Sequence, residues 1–287
     1  MKAGIYGNRY QDSYLGELRE FIASLRRDGI SVCVYDRFAS YLGEHGVSLG
    51  NEEICRDFPA DADMAVSIGG DGTLLRAAEW VAPREVPVMG INTGHLGYLA
   101  GFSFAHSERI AQALAGGCEL SSRMKLELSS EHMPAGECPY AVNEISVSKG
   151  DTTSMVDIRA WVDGSYLADY LADGLVVSTP TGSTAYNLSC GGPILQPTLD
   201  CITLTPIAPH SLTLRPLVIS GGAELLLEVR SRGVECHVGI DGRTFSIPSS
   251  GAMLRVVAAG HRLVVAQPPG TDFPSVLRGK LGWGQRN

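Results

Sequence analysis

Met64-Ala65-Val66-Ser67-Ile68-Gly69-Gly70-Asp71-Gly72-Thr73-Leu74-Leu75-Arg76-Ala77-Ala78-Glu79-Trp80-Val81 is the stretch on which the fold turns. Five mostly apolar residues come first and read as a buried strand. Leu74, Ala77, Ala78 and Val81 then recur at i, i+3, i+4 and i+7, one face of an amphipathic helix. Between the two lies Gly-Gly-Asp-Gly-Thr. A helix N-terminus offers N–H groups that have no helical acceptor, and glycines let the backbone approach an anion closely. The bend therefore suits a phosphate, with Asp71 as the puzzle. A carboxylate facing a phosphate is unfavourable unless it holds a cation or accepts a proton. Asp71 and Thr73 equally suit helix capping, so the bend alone leaves both readings open. The segment lacks the lysine of a Walker A loop and the spacing of a GxGxxG dinucleotide fingerprint.

The pattern extends toward the N-terminus. Residues 2–6 read as a strand ending at Gly7, and Leu15, Leu18, Ile22 and Leu25 share a helical face. Residues 30–35 and 86–91 are further β-rich runs. Strand–helix–strand alternation predicts a parallel sheet with helices on its faces, a Rossmann-like α/β domain over residues 1–123. From about residue 124 the texture changes. Val156, Ile158, Ala160 and Val162 alternate with polar residues and lead into Asp163-Gly164, a favoured hairpin pair that recurs at Asp241-Gly242. Residues 212–219, 225–229 and 262–266 are short β-rich runs. A mainly β, sandwich-like domain over 124–267 is expected, with 268–287 fitting neither pattern.

The whole-chain balance narrows the function. The chain has 287 residues, 23 Lys and Arg against 31 Asp and Glu, and a net charge of −8. That acidity speaks against a general nucleic-acid surface and against docking on anionic lipid. No apolar run of 18 residues occurs, so no membrane span is expected, and the N-terminus turns polar too early for a signal peptide. The seven cysteines are scattered with no CxxC pair, and read as reduced thiols in a cytoplasmic protein. The seven histidines show no metal-ligand spacing, so no dedicated metal site is predicted.

Two further segments carry polar chemistry. Asp173-Gly174-Leu175-Val176-Val177-Ser178-Thr179-Pro180-Thr181-Gly182-Ser183-Thr184-Ala185-Tyr186 is an apolar run feeding a hydroxyl-dense loop. Such a loop either presents O–H and N–H groups to a polar ligand, with Tyr186 stacking on a base, or is a solvated connection. Asn143-Glu144 is an adjacent amide and carboxylate that can hydrogen-bond a ribose diol or an adenine edge, though such a pair is more often simply a surface pair.

Together, GGDGT, then Asn-Glu about seventy residues on, then DGLVVSTPTGSTAY resemble the NAD kinase family over essentially the whole chain. GGDGT alone is shared with lipid kinases; the long hydroxyl-rich segment is the specific part. The stretch from Gly90 to Leu99 resembles a further family segment, with His95 where relatives often carry Arg or Asn. The resemblance implies transfer of the γ-phosphoryl of ATP to the 2′-hydroxyl of the adenosine ribose of NAD, making NADP. It implies Asp71 as proton acceptor, Gly72 beside it in the dinucleotide site, and Gly69, Gly70, Gly72 and Thr73 as the phosphate-donor loop. Asn143 and Glu144 would hold adenosine and ribose, and Asp173 the nicotinamide amide. Thr184, Ala185, Tyr186, Asn187, Leu188 and Ser189 would line the adenosine, and Ala208 adds a contact. The basic residue many relatives carry two before the acidic position is Leu171 here, so that contact is unassigned. Mg²⁺ is expected to arrive with ATP, with no tightly bound prosthetic group. The resemblance also implies a homodimer or homotetramer, and a C-terminal tail, 268–287, that joins the first domain. The rivals are a lipid or sugar-phosphate kinase, which the specific segment opposes, and a non-catalytic dinucleotide sensor, which would need no Asp71.

Overall fold

The structure is a computed structural model. It describes residues 1–94, 97–106, 110, 113–114, 116–151 and 153–283, with the backbone alone at 233–234. Two compact units share the chain, one of residues 1–122 and 263–287, the other of residues 123–262.

The first unit runs β1 (Lys2–Gly7), α1 (Leu15–Arg27), β2 (Ser31–Tyr35), α2 (Asp36–Glu44), β3 (Glu53–Cys55), β4 (Met64–Ile68), α3 (Asp71–Val81), β5 (Val88–Asn92), β6 (Phe102–Ser103) and β7 (Glu119–Arg123). Its sheet has the order β3-β2-β1-β4-β5-β18-β7, with β6 against β5, where β18 comes from far down the chain. The pairs β1–β2, β1–β4, β2–β3, β4–β5 and β5–β6 are parallel. Every residue of β4 and β5 is buried, as a parallel strand covered on both faces requires. Leu18, Ile22 and Leu25 of α1, and Leu74, Ala77, Ala78 and Val81 of α3, are buried on the predicted faces.

The second unit runs β8 (Leu126–Ser129), β9 (Tyr140–Ala141), β10 (Glu144–Lys149), β11 (Val156–Val162), β12 (Ser165–Ala172), β13 (Gly174–Ser178), α4 (Tyr186–Ser189), β14 (Cys201–Ile207), β15 (Leu217–Ser220), β16 (Leu225–Ile240) and β17 (Arg243–Ala258). Its backbone path is β15-β14-β13-β10-β16-β17-β8-β9, antiparallel throughout the described pairs, with β11 and β12 branching from β16. β16 makes the sandwich-like arrangement. Its first half carries β11 and its second half β10, and the register against β17 shifts where the halves part, between Arg230 and Glu235. One apolar cluster joins residues of both branches, including Ile158, Tyr170, Ile145, Val177 and Leu204. Asp163 and Gly164, and Asp241 and Gly242, have φ of +50°, +76°, +46° and +78°, the left-handed pairs that a two-residue hairpin needs.

The chain closes with β18 (Leu263–Gln267) and α5 (Phe273–Leu281). Three differences from the sequence expectation stand out. Residues 263–267 were grouped with the β-rich part, yet β18 pairs parallel with β5 in the first sheet. Periodicity cannot say which sheet a strand joins. Of the 212–219 run only 217–219 lie in a strand, β15, which ends at Ser220, and Leu212 is 87% exposed. Finally, Cys33 and Cys55 are joined as a disulfide, so the expectation of seven reduced thiols is corrected. They lie on the neighbouring parallel strands β2 and β3 with Cα atoms 6.2 Å apart, a proximity set by sheet order and invisible in sequence spacing. No helix among the described residues is long and apolar enough to cross a membrane.

Candidate active site

In the first unit, β4 delivers the chain to Gly69, whose φ is +147° and whose Cβ would collide with the Thr73 side chain. The bend therefore requires glycine there. Gly70 and Gly72 have nothing within 4 Å of a built Cβ, so the start of α3 is open on those faces. The first-turn N–H groups of any helix lack helical acceptors, which makes this an anion-ready end.

Asp71 is the first residue of α3, one past Gly70 at the N-cap. Its side chain turns to the segment after β5. Tyr98 N–H donates to Oδ2 at 2.6 Å, and Leu99 and Ala100 N–H donate to Oδ1 at 3.1 and 3.0 Å. Of the carboxylate's four lone-pair positions three are used, and one on Oδ2 has no partner among the described residues. Gly97 makes the approach possible, since a Cβ there would fall on the Asp71 carboxylate. The helix-capping reading of Asp71 is thereby set aside. Two residues the sequence reading missed brace the bend. Asn8 Nδ2 donates to Thr73 Oγ1 at 2.9 Å, and Gln11, 1% exposed, donates to Asn8 Oδ1 at 2.5 Å. His95, with no assigned role, lies outside the described residues.

In the second unit, Asn143 and Glu144 stand at the start of β10, held from behind by Asp241. Val142 N–H donates to Asp241 Oδ2 at 2.6 Å, and Asn143 and Glu144 N–H donate to Oδ1 at 2.8 and 3.1 Å. Burial raises the Asp241 pKa against the pull of these three bonds and of Arg243. The hydroxyl-rich loop folds onto the same pair. Thr179 N–H donates to the Asn143 carbonyl at 2.9 Å, Thr179 Oγ1 to the Val142 carbonyl at 2.6 Å, and Gly182 lies so close to Asn143 that a Cβ would strike its backbone.

Glu144 is the titrating group of this cluster. Burial, then the Asp241 charge, pushes its pKa up to about 7, while an N–H bond from the Tyr186 backbone opposes them. Its Oε2 is buried and has no partner among the described residues. A desolvated, unpartnered carboxylate oxygen awaits a donor. The Tyr186 ring is 43% exposed and free to stack. Asn187 differs from its neighbours. It is fully buried, its Nδ2 donates to the Ser183 and Pro193 carbonyls at 3.1 Å each, and its Oδ1 accepts from Thr205 Oγ1 at 2.6 Å. That side chain shapes the loop from inside. Thr184, Ala185 and Leu188 are half-buried around it, and Ser189 is exposed.

Asp173 lies at the far end of β13 from Ser178, paired through Oδ1 with Lys149 Nζ at 2.7 Å. Asp173 N–H donates to the Ile207 carbonyl at 2.9 Å, and the next residue, Ala208, has φ of +44°. A left-handed alanine is backbone strain, held here beside a predicted contact. Among the described residues no group of three His, Cys, Asp or Glu is arranged to hold a metal ion.

Comparison with known proteins adds to this geometry. A family model described as the ATP-NAD kinase N-terminal domain matches residues 19–117, and one described as the ATP-NAD kinase C-terminal domain matches residues 142–267. The chain is 37% identical over 294 residues to an NAD kinase of Flavobacterium johnsoniae, covering 99% of both chains. It is 38% identical over 286 residues to an NAD kinase of Bacteroides fragilis, covering 99% of this chain and 98% of that one. Among solved structures, an Archaeoglobus fulgidus NAD kinase in complex with ATP matches with a TM-score of 0.74 and 26% identity, covering 98% of each. A yeast NADH kinase complexed with NADH shares the fold, with a TM-score of 0.85 at 24% identity over 100% of this chain and 89% of that one.

Proposed function

The chain belongs to the NAD kinase family, whose members phosphorylate NAD, and we propose that it moves the γ-phosphoryl of ATP to the 2′-hydroxyl of the adenosine ribose of NAD with Asp71 as general base. The observation that supports this base is the one lone pair on Asp71 Oδ2 without a partner among the described residues, at a helix start flanked by two unobstructed glycines. An alcohol must lose its proton as it attacks, and a positioned carboxylate accepts it. ATP enters as its Mg²⁺ complex, and the Gly69–Gly72 backbone and Thr73 receive the donor phosphates. In a loose phosphoryl transfer, position and charge neutralisation contribute more than proton removal.

The second unit holds the dinucleotide. The unpartnered Glu144 oxygen accepts from ribose hydroxyls and Asn143 faces the adenosine, with Tyr186 stacking on the base. Thr184, Ala185, Leu188 and Ser189 line the same end, and Asn187 supports them from within. Asp173 and Ala208 take the nicotinamide amide end. The antiparallel register sets Glu144 against Ser178 and Ser148 against Gly174, so the two ends are separated by the length of β13. Five residues of strand span about 17 Å, suited to an extended dinucleotide. Ionised Glu144 is the better acceptor for hydroxyls, so NAD affinity rises as pH passes about 7. A cytoplasmic setting and self-association to a dimer or tetramer belong to the same reading, the latter measurable by light scattering.

The test is direct. The protein is incubated with NAD and MgATP and assayed for NADP. Formation of NADP phosphorylated at the 2′ position supports the reading, and its absence at any NAD or ATP concentration overturns it.

A further inference from the structure

Lys280 stands in the last turn of α5, a helix begun by Asp272, whose Oδ1 accepts from Ser275 N–H at 2.9 Å, and ended by Gly282 at φ +65°. Its Nζ lies 5.6 Å from the centroid of the Tyr98 ring. Tyr98 is the residue whose N–H reaches Asp71 Oδ2. Lys280 is half-buried, and among the described residues no carboxylate lies within ion-pair distance of its ammonium. Burial pulls its pKa down, and the Asp71 charge, close enough to be felt, pushes it up. A half-buried cation with no ion-pair partner among the described residues is less favourable than one in open water.

Two ordinary explanations cover only part of this. A cation in the last turn complements the helix dipole, but Arg278 in the same turn already does so from solvent, bonded to Ser275 Oγ at 2.8 Å. A lysine stem also covers an aromatic ring, but that leaves its head free to reach water. Here the head lies over the ring of Tyr98, whose backbone N–H holds the carboxylate at the start of α3.

We propose that Lys280 is an anion ligand of the transfer site, its ammonium holding a phosphate of the reacting pair beside Asp71. The phosphate belongs either to the donor nucleotide or to the dinucleotide. The inference rests on the reading of Asp71 given above. In the transfer, the 2′-hydroxyl gives its proton to Asp71 and its oxygen bonds to the γ-phosphorus. The bond from that phosphorus to the β–γ bridging oxygen breaks, and its electron pair leaves on ADP. Lys280 stays protonated throughout and offsets the negative charge on the phosphate it holds.

The test compares Lys280→Met, which keeps the stem, with Lys280→Arg and with Arg278→Met as a neighbour control. Initial rates are measured with ATP varied at saturating NAD, then with NAD varied at saturating ATP. Lys280→Met lowers kcat/KM about 10²-fold, as for loss of one charged donor. A loss confined to the ATP series identifies a donor phosphate, and one confined to the NAD series a dinucleotide phosphate. Lys280→Arg recovers most of the loss, and Arg278→Met changes neither series. Unchanged constants in Lys280→Met overturn the proposal. So does an equal loss in both series that follows the melting temperature and is not recovered by arginine. Should Lys280→Met not fold, Lys280→Gln takes its place, with the same loss expected and unchanged constants overturning the idea. A wild-type protein that makes no NADP would defeat the reading of Asp71 instead, so the two failures are distinguishable.

Discussion

Asp71 at the bend between β4 and α3, and Asp241 at the hairpin between β16 and β17, accept the same three bonds. Each takes one backbone N–H on Oδ2 and two on Oδ1, from three consecutive residues. The surroundings separate them. Asp241 has a second carboxylate, Glu144, on the strand it anchors, and the open oxygen of that cluster is on Glu144. Asp71 stands between Gly70 and Gly72 at a helix start, and its last lone pair has no partner among the described residues. An identical hydrogen-bond pattern therefore makes one aspartate a post for someone else's chemistry, and leaves the other as the candidate base. Counting bonds does not reveal a catalytic group; what lies opposite the remaining lone pair does.

The comparison is broken or sharpened by substitution at both positions. Asp71→Asn is expected to lower kcat about 10²–10⁴-fold, the usual cost of losing a general base. Because it also weakens the anchor on residues 98–100, the NAD dissociation constant and the melting temperature are measured beside it. If turnover falls no further than stability and binding account for, Asp71 is a post as well. Asp241→Asn is expected to act the other way round. It loosens three N–H bonds to a charged acceptor and costs about 3 kcal/mol in denaturant unfolding. The KM for NAD rises, while kcat at saturating NAD stays near the wild-type value. A kcat loss as large as that of Asp71→Asn would erase the distinction between the two.

Tyr186→Ala removes an exposed ring, and stacking on a base contributes about 1–3 kcal/mol. Calorimetry should show NAD binding weakened roughly tenfold or more with little change in kcat; equal affinities would remove the stacking role. The smallest effect is one of pH. The folded pKa of Glu144, about 7, lies above its ordinary value of 4.5. Between these values the folded protein keeps a proton that the unfolded chain has released, so stability falls as pH rises across that window. The loss is at most about 3 kcal/mol. Glu144→Gln should flatten this part of the unfolding profile, and a slope that survives the substitution would assign it to another group.

Much of this architecture is legible in the chain, where the cause is local. The strand, bend and helix of residues 64–81 follow from apolar periodicity and three glycines, and both Asp-Gly hairpins follow from turn chemistry. What escapes is set by partners distant in sequence. Asp71 finds its three donors 27–29 residues away, and Asp241 finds its donors 97–99 residues away. In the first case a sequence signal exists, because Gly97 in the Gly94–Leu99 stretch is the residue a close carboxylate demands. In the second, Asp241 already has a sufficient reason to be there as a hairpin residue, and nothing marks its second task. Asn187 escapes similarly, since a polar residue in a hydroxyl-rich loop gives no sign of pointing inward. The sheet joined by β18 and the Cys33–Cys55 bond depend on strand order, which periodicity does not encode.

One measurement tests the role of Asp71 most directly, a structure of the protein with NAD bound. The account predicts the 2′-oxygen of the adenosine ribose about 3 Å from Asp71 Oδ2, on the lone pair that the three N–H bonds leave open. A bound dinucleotide whose adenosine ribose lies beyond reach of residue 71 would contradict it.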